Sequence, residues 1–250
     1  MLALQYLCFR YHPIPHVAVS VREIGRDYSP KHIHRGEHAM SERSHITVIL
    51  DRTGSMQDIR GDVVGGFNAF LAQQQAAPDP ATFTLVQFDS QDPYEVLHSM
   101  VPISSAPPLT LERYVPRAST PLYDAMGRGI LDLEAQLAAL PESGRPTKVI
   151  FVVVTDGQEN ASREFDRSRV TALIDAKKGL GWDFVFLSAD LAAFHDAQRM
   201  GVDAASSLLF SKSKAGNDRA WDAASNKIFA RRTGVADKVV FDDEDRKASE

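Results

Sequence analysis

The most constraining feature of the sequence is the segment KVIFVVVT at residues 148–155, in which six apolar residues follow one another. A strand with one face in water alternates apolar and polar side chains, whereas this segment has no polar face. Such a strand belongs in a parallel sheet whose two faces are both covered. The segment therefore predicts a layered architecture around a buried sheet.

From Met40 onward, strand-like and helix-like apolar patterns alternate along the chain. Short apolar runs predict strands, which lie at 45–50, 81–88, 94–101, 148–155, 182–189 and 206–210. Apolar residues at helical spacing predict helices, at 59–71, 126–140, 170–174, just before Gly201, and 221–228. The strand at 94–101 follows the turn SQDP and should return as an antiparallel edge strand. The predicted fold class is α/β, with a doubly wound, mostly parallel central sheet, one antiparallel edge strand and helices on both faces.

Composition and charge narrow the range of partners. The chain of 250 residues is 44% hydrophobic and carries a formal net charge of -5, with no cluster of lysine and arginine for nucleic acid. No apolar run approaches the roughly 20 residues that cross a bilayer. Residues 1–9 lack the basic start of a secretory signal, and Cys8 has no second cysteine for an internal disulfide. We therefore expect a cytoplasmic monomer that binds neither nucleic acid nor membrane.

Two terminal segments differ from the patterned part of the chain. Residues 1–39 show no sustained period, and we expect an extension that is disordered or not native. A metal cluster is conceivable among three histidines of this segment, but a solvated arm is the favoured interpretation; they are His32, His34 and His38. The charged segment 236–250 is predicted to be a flexible tail, which leaves 40–235 as the folded domain.

The start of the native protein is predicted at Met40. Residues 35–37, Arg-Gly-Glu, can be encoded by a purine-rich stretch containing GGAG, placed where a bacterial ribosome-binding site would precede the Met40 codon. We therefore expect that deletion of residues 1–39 leaves the folded domain intact.

Oxygen-bearing side chains lie in three segments that should meet at the carboxyl edge of the sheet. The segments are DRTGS after the first strand, STPLYDA ahead of the second long helix, and TDG after the most buried strand. The candidate ligands are Asp51, Thr53, Ser55, Thr120 and Asp156. Two carboxylates and three hydroxyls form a hard-oxygen set suited to Mg²⁺ or Mn²⁺. Each residue alone is equally consistent with capping a helix, so the prediction depends on their convergence.

The three segments, in this order on alternating strands and helices, resemble the von Willebrand factor A domain with its metal-ion-dependent adhesion site, in its small stand-alone bacterial form. The family's motif is Asp-x-Ser-x-Ser, followed by a later Thr and a later Asp. Asp51 and Ser55 match the first acid and the second serine, whereas Thr53 stands where the family usually has serine. Thr120 matches the loop threonine and Asp156 the last acid, and the resemblance covers roughly residues 44–235.

The resemblance implies a Rossmann-like fold and a function in binding. In the family, hydroxyls contact the metal directly and the aspartates act largely through water, so the ion stays electrophilic. An exposed Asp or Glu of a partner protein then completes the coordination and supplies charge. The implied function is that of a metal-dependent protein-binding module with Mg²⁺ or Mn²⁺ as cofactor, and an ATPase subunit is one candidate partner.

An enzyme is the alternative. An apolar strand followed by DRTGS also resembles the aspartyl-phosphate loop of haloacid dehalogenase-like phosphatases, in which Asp51 would be the nucleophile. Those enzymes place a second acid two residues later, where this chain has Thr53. We therefore predict a binding protein without catalytic residues.

Two further sets of residues are assigned structural roles. Asp89, Ser188 and Asp190 follow predicted strands, and turn formation or helix capping is favoured over a role at the rim of the site. Gly65 and Gly66 lie in the first predicted helix, where close packing against a neighbouring element is the expected reason for a glycine.

Overall fold

The structure, a computed structural model, describes residues 43–249. The three histidines at 32, 34 and 38 and the expected chain start at Met40 lie outside the described residues. The strands of the described part form one sheet with the spatial order β3-β2-β1-β4-β5-β6. They are β1 (Ser44–Asp51), β2 (Ala81–Phe88), β3 (Glu95–Pro102), β4 (Lys148–Thr155), β5 (Trp182–Ser188) and β6 (Ser207–Leu209).

The sheet confirms the predicted fold class. β3 lies at one edge and pairs with β2 in the antiparallel sense, whereas the other four pairings are parallel. Helices connect the parallel strands, as they must when a crossover returns the chain to the same end of the sheet. They are α1 (Arg60–Gln75), α3 (Arg167–Lys178) and α4 (Leu191–Arg199); α2 (Leu122–Ala139) leads from β3 to β4, and α5 (Lys214–Arg232) and α6 (Asp243–Ser249) follow β6.

β4 is buried along its whole length because its two faces contribute to different cores. Successive side chains of a strand point to opposite faces. One core contains Ile150, Val152 and Val154 and packs beneath α1 and α5. The other contains Val149, Phe151 and Val153 and packs beneath α2 and α3. The absence of a polar face in the sequence of this strand is thereby explained.

Helices α1 and α5 approach each other closely at Gly66. A Cβ atom added to Gly66 would lie 2.2 Å from Cδ1 of Trp221, whereas one added to Gly65 meets nothing within 4 Å. The prediction of close packing is therefore confirmed for Gly66 and wrong for Gly65.

The prediction that Asp190 caps a helix is also confirmed. Its carboxylate accepts a 2.7 Å hydrogen bond from the N–H of Ala193 at the start of α4.

The charged end of the chain corrects the sequence prediction. The sequence predicts a flexible tail at 236–250, but Val239 and Phe241 are buried in the core under α5. Helix α6 follows, and Lys227 of α5 forms ion pairs with Asp242 and Asp245. Two buried apolar side chains and these ion pairs dock the segment. The folded domain therefore extends to residue 249, past the predicted boundary at 235.

The topology determines where a site can form. From β1 the chain first builds β2 and β3 on one side and then crosses to β4 on the other. The loops that leave the carboxyl ends of β1 and β4 therefore diverge to opposite faces and open a crevice between them. In the β1–β4 register, Leu50 is paired with Val154, which brings the residues following each strand together.

Candidate metal centre

Asp51 is the last residue of β1 and is fully buried. Its Oδ1 accepts a 2.6 Å hydrogen bond from the backbone N–H of Thr53, and its Oδ2 accepts a 2.5 Å hydrogen bond from Oγ1 of Thr155. Burial raises the pKa of Asp51 to about 7; the two threonines oppose this effect, and the nearby carboxylate of Asp156 adds to it. The site thus holds an acid that is costly to ionise unless a cation is close.

The turn after β1 brings two hydroxyls beside this acid. Thr53 precedes the 3₁₀ helix Gly54–Ile59, and its Oγ1 lies 3.2 Å from Oγ of Ser55. Ser55 Oγ donates a 2.5 Å hydrogen bond to Oδ1 of Asp156, which follows β4. Three of the predicted ligands are therefore directly connected.

Thr120 reaches the same place from the segment ahead of α2. Its backbone N–H donates to Oδ1 of Asn160 at 2.8 Å, and its carbonyl accepts from the N–H of Asn160 at 3.0 Å. A Cβ atom added to Gly157 would lie 3.5 Å from Oγ of Ser55 and 3.6 Å from Oγ1 of Thr120. Both hydroxyls thus converge on the space beside Gly157, and all five predicted residues meet at one edge of the sheet.

Backbone contacts fix the Thr120 segment against the turn after β1. The N–H of Gly54 donates to the carbonyl of Ala118 at 3.1 Å, and the N–H of Arg117 donates to the carbonyl of Arg52 at 2.9 Å. Ala118 has a φ of 60°, a left-handed conformation that costs a residue with a Cβ about 1–2 kcal/mol. The hydroxyls are therefore held in place by structure outside the ligand set.

A buried ionic network lies on the β2 side of the site. Arg52 forms ion pairs with Asp89, at 2.7 Å, and with Glu95. Asp89 also pairs with Arg117 at 3.0 Å and accepts hydrogen bonds from backbone N–H groups of the following turn, as expected for a turn-forming acid. Burial alone would raise the pKa of Asp89, but hydrogen bonds from Arg117, two backbone N–H groups and Arg52 hold it below its ordinary value. Asp89 thus remains an anion that anchors both arginines.

Two residues that sequence reasoning missed complete the surroundings of the acids. Thr155 bonds to Asp51, as described, and Lys212 lies with Nζ 2.5 Å from Oδ2 of Asp156. Lys212 Nζ also donates to the carbonyl of Ser55 at 2.9 Å. Lys212 lies shortly after β6, at the same carboxyl edge as the predicted ligands, but a single lysine at that position carries no sequence pattern that marks it.

The capping alternative fails for two of the five residues. The residue that precedes α2 as its N-cap is Pro121, and that of α3 is Asp166. Thr120 and Asp156 therefore serve neither of these helices as N-caps.

The donor set fits a divalent cation of hard character. Within residues 43–249, no group of three or more His, Cys, Asp or Glu side chains is arranged to hold a metal. A metal at this edge would therefore depend on hydroxyl oxygens as well as on the two carboxylates, which suits Mg²⁺ or Mn²⁺. The buried Oδ2 of Asp156 is paired with a positive charge, the ammonium group of Lys212 at 2.5 Å.

No protein-family model matches the sequence, and no curated protein matches it. The fold is similar to a von Willebrand factor type A protein from Catenulispora acidiphila, with a TM-score of 0.53, 14% identity, and coverage of 76% of this chain and 43% of that one. It is also similar to the pilus adhesin SpaC from Lactobacillus rhamnosus GG in its open conformation, with a TM-score of 0.57, 15% identity, and coverage of 76% and 30%.

A third similar structure is proximal thread matrix protein 1 from the mussel byssus, with a zinc-occupied metal-ion-dependent adhesion site (TM-score 0.50, 13% identity, coverage 76% of this chain and 46% of that one). The chain spans less than half the length of each of these three proteins. At such low identity the similarity establishes the fold alone. The chain has the von Willebrand factor A fold.

Proposed function

We propose that this von Willebrand factor A fold serves as a divalent-metal-dependent module that binds a partner protein. Mg²⁺ or Mn²⁺ is held by Asp51, Thr53, Ser55, Thr120 and Asp156, and it provides a Lewis-acidic centre for an anionic oxygen. The observation that carries the proposal is the convergence of these residues, seen most directly in the hydrogen bond from Ser55 to Asp156.

The charge of the ligand set favours capture of an acidic partner. Two carboxylates and three neutral hydroxyls leave a divalent ion with little excess negative charge around it. An Asp or Glu side chain of a partner brings a charged oxygen that a neutral amide cannot replace. The partner is therefore a protein with an exposed acidic residue, and an ATPase subunit is one candidate.

Structural neighbours support the metal-dependent part of the proposal. One neighbour is described with a zinc-occupied metal-ion-dependent adhesion site, and another is a pilus adhesin. Zinc in proteins commonly takes thiolate or imidazole ligands, and the five residues of this chain offer neither. We therefore assign Mg²⁺ or Mn²⁺ to this chain.

The helices and the net charge of the chain are consistent with a protein partner. Within 43–249, no helix is long and apolar enough to cross a membrane. A net charge of -5 gives no attraction to nucleic acid. We propose a cytoplasmic monomer of bacterial type, without a nucleic acid or membrane ligand.

The geometry of Asp51 favours binding over phosphoryl transfer. A nucleophilic aspartate needs an accessible oxygen, but Asp51 is fully buried and both of its carboxylate oxygens accept hydrogen bonds. The position of the second acid of haloacid dehalogenase-like enzymes is occupied by Thr53, which has no proton-transfer role at neutral pH.

The test is capture of partners from cell lysate by the immobilised protein, in Mg²⁺ and in chelator. A protein captured in Mg²⁺ should be lost in chelator and with Asp51→Asn. The matched control is Asp166→Asn, which alters an acid that caps α3 outside the site and should leave capture unchanged. Capture that survives both chelator and Asp51→Asn would refute the metal-dependent mode.

A further inference from the structure

On the basis of the metal site proposed above, which it requires, we propose that Lys212 is an internal cation that competes with the metal for Asp156 and thereby sets the metal affinity. In the absence of metal its ammonium group supplies the positive charge that the site needs. Binding of a divalent ion at Asp156 requires this group to leave.

The contacts of the ammonium group are specific. Lys212 Nζ lies 2.5 Å from Oδ2 of Asp156 and donates to the carbonyl of Ser55 at 2.9 Å. It therefore contacts two of the proposed ligand residues, one from each of the loops after β1 and β4. The side chain of Asp156 is 0% exposed, and a buried carboxylate is strongly unfavourable without a positive partner.

The backbone around Lys212 is held on both sides. The N–H of Ser211 donates to the carbonyl of Ser249 at the end of α6, at 2.8 Å. Ser213 caps α5, because its Oγ accepts a hydrogen bond from the N–H of Gly216 at 3.1 Å. The segment that presents the lysine is therefore held by α5 and α6.

Competition follows from charge. A divalent ion and an ammonium group at one carboxylate repel each other, and the repulsion is strong where water is excluded. The Lys212 side chain is 37% exposed, so the ammonium has a route into solvent when a metal replaces it. Because the ion pair between Lys212 and Asp156 must be broken before a metal can bind, the metal affinity is lower than that of a site without the lysine.

Titration of Mn²⁺ into the full chain by calorimetry tests this competition. Lys212→Met keeps the length of the stem but removes the charge, and it should bind Mn²⁺ about tenfold more tightly than the wild type. Lys214→Met is the matched control, because Lys214 is 72% exposed and pairs with Asp218 rather than with the site; its affinity should equal that of the wild type. In chelator, Lys212→Met should unfold at a lower temperature than the wild type, since Asp156 is left without a cation.

The outcomes separate the role of the lysine from the metal site itself. Wild-type binding of Mn²⁺ with equal or weaker binding by Lys212→Met would overturn the competition and leave the metal site standing. Failure of both proteins to bind Mn²⁺ would overturn both. Lys212→Gln keeps a hydrogen-bond donor but carries no charge, so its affinity for Mn²⁺ should rise as much as that of Lys212→Met. Unchanged affinity for Mn²⁺ in both variants would contradict a role for charge.

Discussion

Ser55 Oγ donates a 2.5 Å hydrogen bond to Oδ1 of Asp156, although the two residues are 101 positions apart in the chain. The contact exists because β1 and β4 are adjacent and parallel, so the loops that follow them leave the sheet at the same edge. The hydroxyl and the carboxylate are thus placed by strand pairing rather than by local sequence.

Replacement of Ser55 by alanine should affect stability and metal response separately. Without metal, loss of the hydrogen bond to Asp156 should lower the free energy of unfolding by about 1 kcal/mol. With Mg²⁺, the stabilisation by metal should be largely lost, because a proposed ligand is missing. Urea unfolding of Ser55→Ala with and without Mg²⁺ measures both effects; Ser168→Ala, at an exposed position of α3, is the control. Undiminished stabilisation of Ser55→Ala by Mg²⁺ would remove Ser55 from the ligand set.

The adjacent glycines of α1 should respond in opposite directions to alanine. In Gly66→Ala the new methyl group meets the Trp221 ring at 2.2 Å, and such overpacking should destabilise the protein by about 1–3 kcal/mol. In Gly65→Ala nothing lies within 4 Å, so the higher helix propensity of alanine should stabilise it by up to about 1 kcal/mol. Thermal unfolding of the two variants compares them directly. Equal effects of the same sign would contradict the described packing of α1 on α5.

The docking of the C-terminal segment predicts a large effect at Phe241. Phe241 is 3% exposed, and its replacement by alanine should lower the free energy of unfolding by about 3–5 kcal/mol. The neighbouring Val240 is 44% exposed, so Val240→Ala should change it by less than about 0.5 kcal/mol. Denaturant unfolding of both variants provides the measurement. If Phe241→Ala left the free energy of unfolding unchanged, the prediction of a flexible tail would be correct after all.

Buried His45 should make the protein sensitive to acid. Burial lowers the pKa of His45 from 6.5 to about 3, and its ring nitrogens lie 2.8 Å from Oγ1 of Thr82 and 2.9 Å from Oγ1 of Thr47. Between these two pKa values the unfolded chain binds the proton more readily than the folded one. The contribution of His45 is therefore fully present above pH 6.5 and is lost as pH falls toward 3, by up to about 1.4 kcal/mol per pH unit.

The corresponding measurement is urea unfolding of the wild type and His45→Gln at several pH values below 6.5. Glutamine cannot take up a proton in this range, so the variant should lose stability less steeply with falling pH, whatever its stability at neutral pH. Parallel curves for the two proteins would show that His45 does not account for the acid sensitivity.

The sequence was sufficient to predict the sheet and to place the five proposed ligands at one of its edges. The apolar run of β4 has one physical explanation, which is burial on both faces, and a parallel sheet places the residues after each strand at one edge. Asp51, Thr53, Ser55, Thr120 and Asp156 could therefore be grouped without knowledge of the pairing register.

Other features depend on distances that the sequence does not encode. Lys212 lies 157 positions from Ser55, and a single lysine after a short strand has no pattern that marks it as a partner of the site. Thr155 has the composition of an ordinary strand residue, and only the register shows that its hydroxyl reaches Asp51. Val239 and Phe241 belong to a short apolar run, residues 239–241, in an otherwise charged segment, so the average composition of 236–250 concealed their burial.

The stability of the purified protein in Mg²⁺ and in chelator tests the central claim most directly, with the wild type compared with Asp51→Asn and Thr120→Val. A ligand that binds only the folded state stabilises it by about 2.7 kcal/mol at a concentration of one hundred times Kd. The wild type should therefore unfold at a higher temperature in Mg²⁺, and both variants should fold but lose most of this increase. No increase in the wild type, or the full increase in both variants, would contradict a metal site formed by these residues.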